Sequence, residues 1–168
     1  MSDATVDPIL DRLLRHMAWA NATLFTRLAE LPDEALMLAA PRNKWTVTRI
    51  LTHFVMAAGG YAARLEGVPP PEPITPPATS TELAEVATRC ATFDARIRAQ
   101  AVVPDGSEES PYRGKIRRAR STILGQAIHH ATEHRAQIAG ALATNGIDAI
   151  DLDALDVWAY SDAEGLGA

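Results

Sequence analysis

Apolar residues recur at three- and four-residue steps in four long segments, the spacing of amphipathic helices rather than strands. The first segment opens with Asp7 and Pro8, a side-chain acceptor followed by the residue best tolerated at the first helical position. Leu10, Leu13, Leu14, Met17, Phe25 and Leu28 carry its stripe to about Glu30. Pro32, Pro41 and Asn43 break the pattern, so Leu31 to Lys44 reads as a long connection. A second helix is expected from Thr46 or Thr48 to Glu66, stopped by Gly67 and the run Pro69, Pro70, Pro71. Its predicted inward face is Ile50, His53, Phe54, Ala57, Tyr61 and Leu65.

Six prolines between Pro69 and Ser80 predict a surface linker of polyproline character. Thr79 and Glu82 then form a capping-box signal for a third helix that buries Leu83, Val86, Cys90, Phe93 and Ile97. Val102 to Arg118, with Pro104, Gly106, Pro111 and Gly114, reads as an irregular excursion with room for a short hairpin. The fourth helix is expected over about Ser121 to Asn145, closed by Asn145 and Gly146. Leu152, Leu155, Trp158 and Tyr160 predict a short extra helix against the bundle. The expectation is an all-α four-helix bundle forming one domain over residues 1–168.

Composition narrows the setting. No window approaches the roughly 18 consecutive apolar residues of a membrane span, so no membrane partner is expected. MSDATVDPIL lacks a basic cluster and an apolar core, which predicts neither a secretory signal nor a transit peptide and points to the cytoplasm. The single cysteine, Cys90, cannot form an internal disulfide and excludes a cysteine-rich zinc site. On the third-helix stripe it reads as an inert buried thiol. A net charge of −5 disfavours nucleic acid as a partner. The local cluster Arg113, Lys115, Arg117, Arg118 and Arg120 is expected to be a solvated loop balanced by Asp105, Glu108 and Glu109, with an anion contact as the alternative.

Candidate chemistry lies in the histidines. Three of the five, His129, His130 and His134, fall within six residues of one predicted helix. Side chains four apart stack on a helix, so His130 and His134 can converge on one ion. His130 and His134 share an inward stripe with Ala127, Ile138 and Ala141, whereas His129 is turned roughly 100° away and is set aside. His53 on the second helix is the natural third ligand, because facing bundle helices commonly assemble metal sites. The plainer alternatives are a hydrogen-bonded core histidine for His53 and chance spacing for the pair. His16 reads as a surface or hydrogen-bonded residue. His130, Glu133 and His134 also spell H-x-x-E-H, an inverted-zincin signature, but only 34 residues follow His134 to supply a further acidic ligand.

Ile50-Leu51-Thr52-His53 and His130-Ala131-Thr132-Glu133-His134-Arg135-Ala136-Gln137 resemble the DinB-like (DinB/YfiT) family, as do His16 to Asn21 and Trp45-Thr46. The resemblance implies a four-helix bundle, often a homodimer, that holds nickel or zinc on His53, His130 and His134. The sequence departs from the family at Gln126, at Ala136, and at Ala57 and Ala58, where many relatives carry a histidine, a glycine and a glutamate respectively. The last departure puts in doubt chemistry that needs a carboxylate there.

Three nitrogen ligands leave positions for water or substrate, as in catalytic sites. The resemblance implies metal-dependent thiol S-transferases or hydrolases acting on a small-molecule thiol or other small substrate. The expected function is therefore a metal-dependent enzyme. The alternative is a metal-stabilised, stress-associated binding protein without catalysis. Glu133 and Arg135 are the candidate catalytic groups, and Asn21, Tyr61 and Gln137 the candidate substrate contacts, each with a structural role as the plainer reading. Trp19, Tyr61 and Trp158 otherwise read as core or interface.

Overall fold

A computed structural model of the chain describes residues 6–40, 44–110 and 116–166. Helix α1, Pro8–Ala29, begins where the Asp7 carboxylate accepts hydrogen bonds from the amides of Ile9 and Leu10, both at 2.9 Å. Helix α2, Val47–Glu66, starts on Thr46, whose hydroxyl accepts from the Arg49 amide, and ends on Gly67 at φ 69°. That left-handed terminus favours glycine. Helix α3 spans Ser80–Ala99 and helix α4 Arg120–Ala143. The four pack through α1 on α3, α2 on α4 and α2 on α3. Their shared core includes Leu14, Leu24, Leu51, Phe54, Ile97 and Ile138.

The capping-box signal before α3 is shifted by one residue. Thr79 Oγ1 accepts from the Glu82 amide at 3.3 Å, while the Glu82 carboxylate reaches back to the Ala78 amide at 2.7 Å rather than to Thr79. The proline linker is partly packed rather than wholly on the surface. Thr48 donates to the carbonyl of buried Pro77 at 2.6 Å, and Pro71 lies so close to α2 that a Cβ on Gly59 would sit 2.6 Å from its Cγ.

The excursion before α4 contains an antiparallel hairpin, β1 (Ser107–Ser110) and β2 (Ile116–Ala119), in the register Glu108 opposite Arg118. Arg113 and Lys115 of the basic cluster lie outside the described residues, and Arg117 and Arg118 are exposed. Arg120 departs from the solvated-loop expectation. Its side chain is buried and donates to Leu65 O, Glu108 Oε1 and Gln100 Oε1, tying the ends of α2, α3 and β1 together.

Helix α5, Val157–Ala163, is capped by the Asp156 carboxylate. Leu155 and Tyr160 are buried against the bundle, but Leu152 and Trp158 face solvent, Trp158 with 81% of its surface exposed. No helix among the described residues is long and apolar enough to cross a membrane.

Candidate metal centre

The buried arc of α2 centres on Leu51, Phe54, Ala58 and Ala62. At about 100° per residue, His53 lies roughly 150° around the helix from the middle of that arc. The expected inward face of α2 is therefore split. Ile50, Phe54 and Leu65 enter the core, Ala57 and Tyr61 are half-buried, and His53 is exposed on the flank that meets α4. On α4, His130 is half-buried and His134 buried. Helix pairing brings the three rings together at the edge of the bundle rather than in its middle.

The ring nitrogens converge. His53 Nε2 lies 3.2 Å from His130 Nε2, and His134 Nε2 lies 3.0 Å from the same atom. The candidate ligand atoms of all three fall within 4.8 Å of one another. Metal–nitrogen bonds of about 2.0–2.1 Å set neighbouring ligand nitrogens roughly 3 Å apart, and both gaps match. The Nδ1–H of His134 donates to Gln137 Oε1 at 2.8 Å, which leaves the Nε2 lone pair facing its neighbours. A neutral N–H on one ring can bridge one of these gaps, whereas a single cation would draw the lone pairs of all three rings at once. Burial first, and then the neighbouring His134, hold His53 below the ordinary histidine range and, with His53, push His130 down to about 4. The donor set therefore fits a divalent ion.

Two further rings support the cluster. Trp45 packs edge-on to His53 with centroids 5.0 Å apart, and Arg49 lies over the Trp45 ring. Tyr61 stands nearly perpendicular to His130 at 5.8 Å. Trp45 is the site residue that the helical pattern gave no means of finding, since it precedes α2 and reaches His53 only through the turn at the cap.

The sequence profile of the DinB family matches residues 1–162. The chain belongs to the DinB family. No curated protein matches it.

Within this DinB-family bundle the remaining candidates divide. Gln137 contacts a histidine of the cluster and Tyr61 packs on one. His129 points outward, its Nδ1 3.6 Å from the exposed Glu133 carboxylate. Glu133 is thus turned toward His129, which removes the support for an inverted-zincin base. Asn21 and Arg135 are directed elsewhere. Both are buried, Arg135 donating to Asn21 Oδ1 at 2.6 Å and Asn21 donating to Asp94 Oδ2 at 2.9 Å. Asp94 joins α3 to this cluster, and its place on the stripe between Cys90 and Ile97 was the signal that could have found it. Burial raises its carboxyl to about 6 and lowers Arg135 to about 10. Cys90 is buried beside Asp94, and burial holds its thiol well above the ordinary range, as expected of an inert thiol. His16 is buried, not on the surface, and donates to Leu155 O at 2.8 Å.

Proposed function

We propose that this DinB-family chain is a metal-dependent enzyme of thiol-transferase or hydrolase type, with His53, His130 and His134 as ligands to one nickel or zinc ion. The convergence of three Nε2 atoms at the half-open α2–α4 edge carries this reading. A divalent ion held there would supply Lewis acidity toward water or a thiol. The residues themselves orient the donors. Gln137 holds His134 in the tautomer that presents Nε2, and Trp45 backs the exposed His53 ring. Solvent reaches the cluster from the His53 side, which leaves room for substrate.

A second reading rests on one observation, that the donors come from two separate helices. An ion there would cross-link α2 and α4 and serve stability alone. Elemental analysis of untagged protein, followed by nickel and zinc titration, is expected to give about one ion per chain, and His130→Ala is expected to lose it. The loaded protein is then assayed with low-molecular-weight thiols plus electrophiles, and with esters and amides. Turnover that disappears in a folded His130→Ala variant supports the enzyme. Stabilisation by metal without turnover supports the cross-link. Failure to bind either ion refutes both readings.

A further inference from the structure

A cavity lies across α4 from the histidine cluster. Ile128, Thr132, Arg135 and Ala136 fall roughly 120–220° around the helix from the midpoint of His130 and His134. They form one wall of a cavity of about 310 Å³, which Leu13 and His16 of α1 and Leu155 and Val157 close from the other sides. His16 donates its Nε2–H to Leu155 O at 2.8 Å and so fixes that second wall.

Arg135 is the informative residue. Only 3% of it is exposed, yet it lines the cavity. A guanidinium carries five N–H donors and a permanent charge, and buried charges are normally paired. Arg135 donates to Asn21 Oδ1 at 2.6 Å and to Thr132 Oγ1 at 3.0 Å, both neutral acceptors. Its link to the Asp94 carboxylate runs only through the Asn21 amide, and no carboxylate among the described residues touches it. Its Nε bonds to no described residue and is not sealed from solvent, which turns a donor to the cavity. Arg120, the other buried arginine among the described residues, differs in pairing directly with Glu108.

Size and polarity then limit the occupant. Leu13, Ile128, Leu152, Leu155 and Val157 make the walls largely aliphatic. Ile9, four residues before Leu13 and on the same face of α1, is exposed and extends this apolar surface. An apolar cavity of about 150 Å³ holds benzene, so one of twice that size suits a chain of about eight carbons. Asp156 also stands on the wall, its carboxylate accepting from the Ala159 amide at the α5 cap, so an anionic group is steered away from it and toward Arg135. We propose that this cavity binds a medium-chain aliphatic carboxylate, its chain along Leu13, Ile128 and Leu155 and its carboxylate on Arg135. The site is separate from the metal centre and does not depend on it.

The test titrates octanoate, and 1-octanol as its neutral counterpart, into full-length zinc-treated protein by calorimetry, with the histidine ring protons followed by NMR. Octanoate is expected to saturate at one molecule per chain and to shift the His16 ring while leaving His53, His130 and His134 unmoved. Ala136→Phe fills the cavity from an exposed position on α4 and is expected to weaken both probes by about tenfold or more, with helicity unchanged. Arg135→Gln is expected to weaken octanoate by about tenfold or more and leave 1-octanol unaffected. Thr132→Asp supplies a carboxylate to Arg135 from an exposed position and is expected to act in the same way, which keeps the assignment testable should Arg135→Gln misfold. No saturable octanoate binding, or binding unaltered by Ala136→Phe, overturns the cavity as a site. Equal losses for the two probes in the charge variants overturn the carboxylate assignment. Octanoate that shifts the rings of His53, His130 and His134 in place of His16 sits at the metal centre and overturns the separate site.

Discussion

Gln137 accepts from one nitrogen of His134 at 2.8 Å while the other nitrogen faces His130. Partners of this kind orient ligand rings, and losing one typically costs about 10–100-fold in metal affinity. Gln137→Ala is therefore expected to weaken zinc binding by about that factor in a chelator competition, with helicity unchanged because Gln137 is exposed. Asp94 carries a different prediction. Its folded carboxyl titrates at about 6, above the ordinary 3.8, so the native state holds a proton that the unfolded chain releases between those values. Stability contributed by Asp94 is therefore greatest at low pH and declines as pH rises through about 4 to 6. The unfolding free energy of the wild type minus that of Asp94→Asn should fall by about 2–3 kcal/mol between pH 4 and pH 7 in urea titrations. A flat or rising difference contradicts the burial argument.

At the level of elements, adjacent glycines in α2 should answer oppositely to the same substitution. Gly59→Ala places a methyl 2.6 Å from Pro71 and 2.9 Å from Phe93 and forces the linker or α3 outward. The expected loss is about 1–3 kcal/mol despite the better helix propensity. Gly60→Ala meets no neighbour and should gain about 0.5–1 kcal/mol. Denaturant midpoints of the two variants check both signs, and the contrast depends on the proline linker lying against α2 as described.

For the molecule as a whole, the proposed metal site predicts a link between metal and folding. A ligand that binds only the native state, present at about 100 times its dissociation constant, stabilises by roughly 2.7 kcal/mol. For a chain of this length that is a rise of roughly 5–10 °C in Tm. Nickel or zinc should produce such a rise at pH 7, a chelator should reverse it, and His130→Ala should abolish it. The rise should shrink as pH falls toward about 4, where His130 takes up a proton. Because the three histidines come from α2 and α4, metal removal should loosen that pair before the α1–α3 pair, which hydrogen exchange can measure.

The local parts of this protein were legible in its residues. The starts of the helices at Asp7, Thr46 and Thr79, the stop at Gly67 and the stacking of His130 on His134 all follow from spacings of a few positions, over which helix geometry is rigid. The histidine cluster was legible as far as that pair reached. Tertiary packing decided the rest. Which flank of α2 meets α4 put His53 at an exposed edge instead of in the core, and chain approach made Gly59 necessary while leaving Gly60 free. Asn21, Asp94 and Arg135 meet across three helices, and Arg120 turns inward to bind the end of α2. Periodicity defines the faces of a helix, but the rotation of each helix against its neighbours is set by the packing of all of them together, so contacts between distant positions take shape only when the bundle closes.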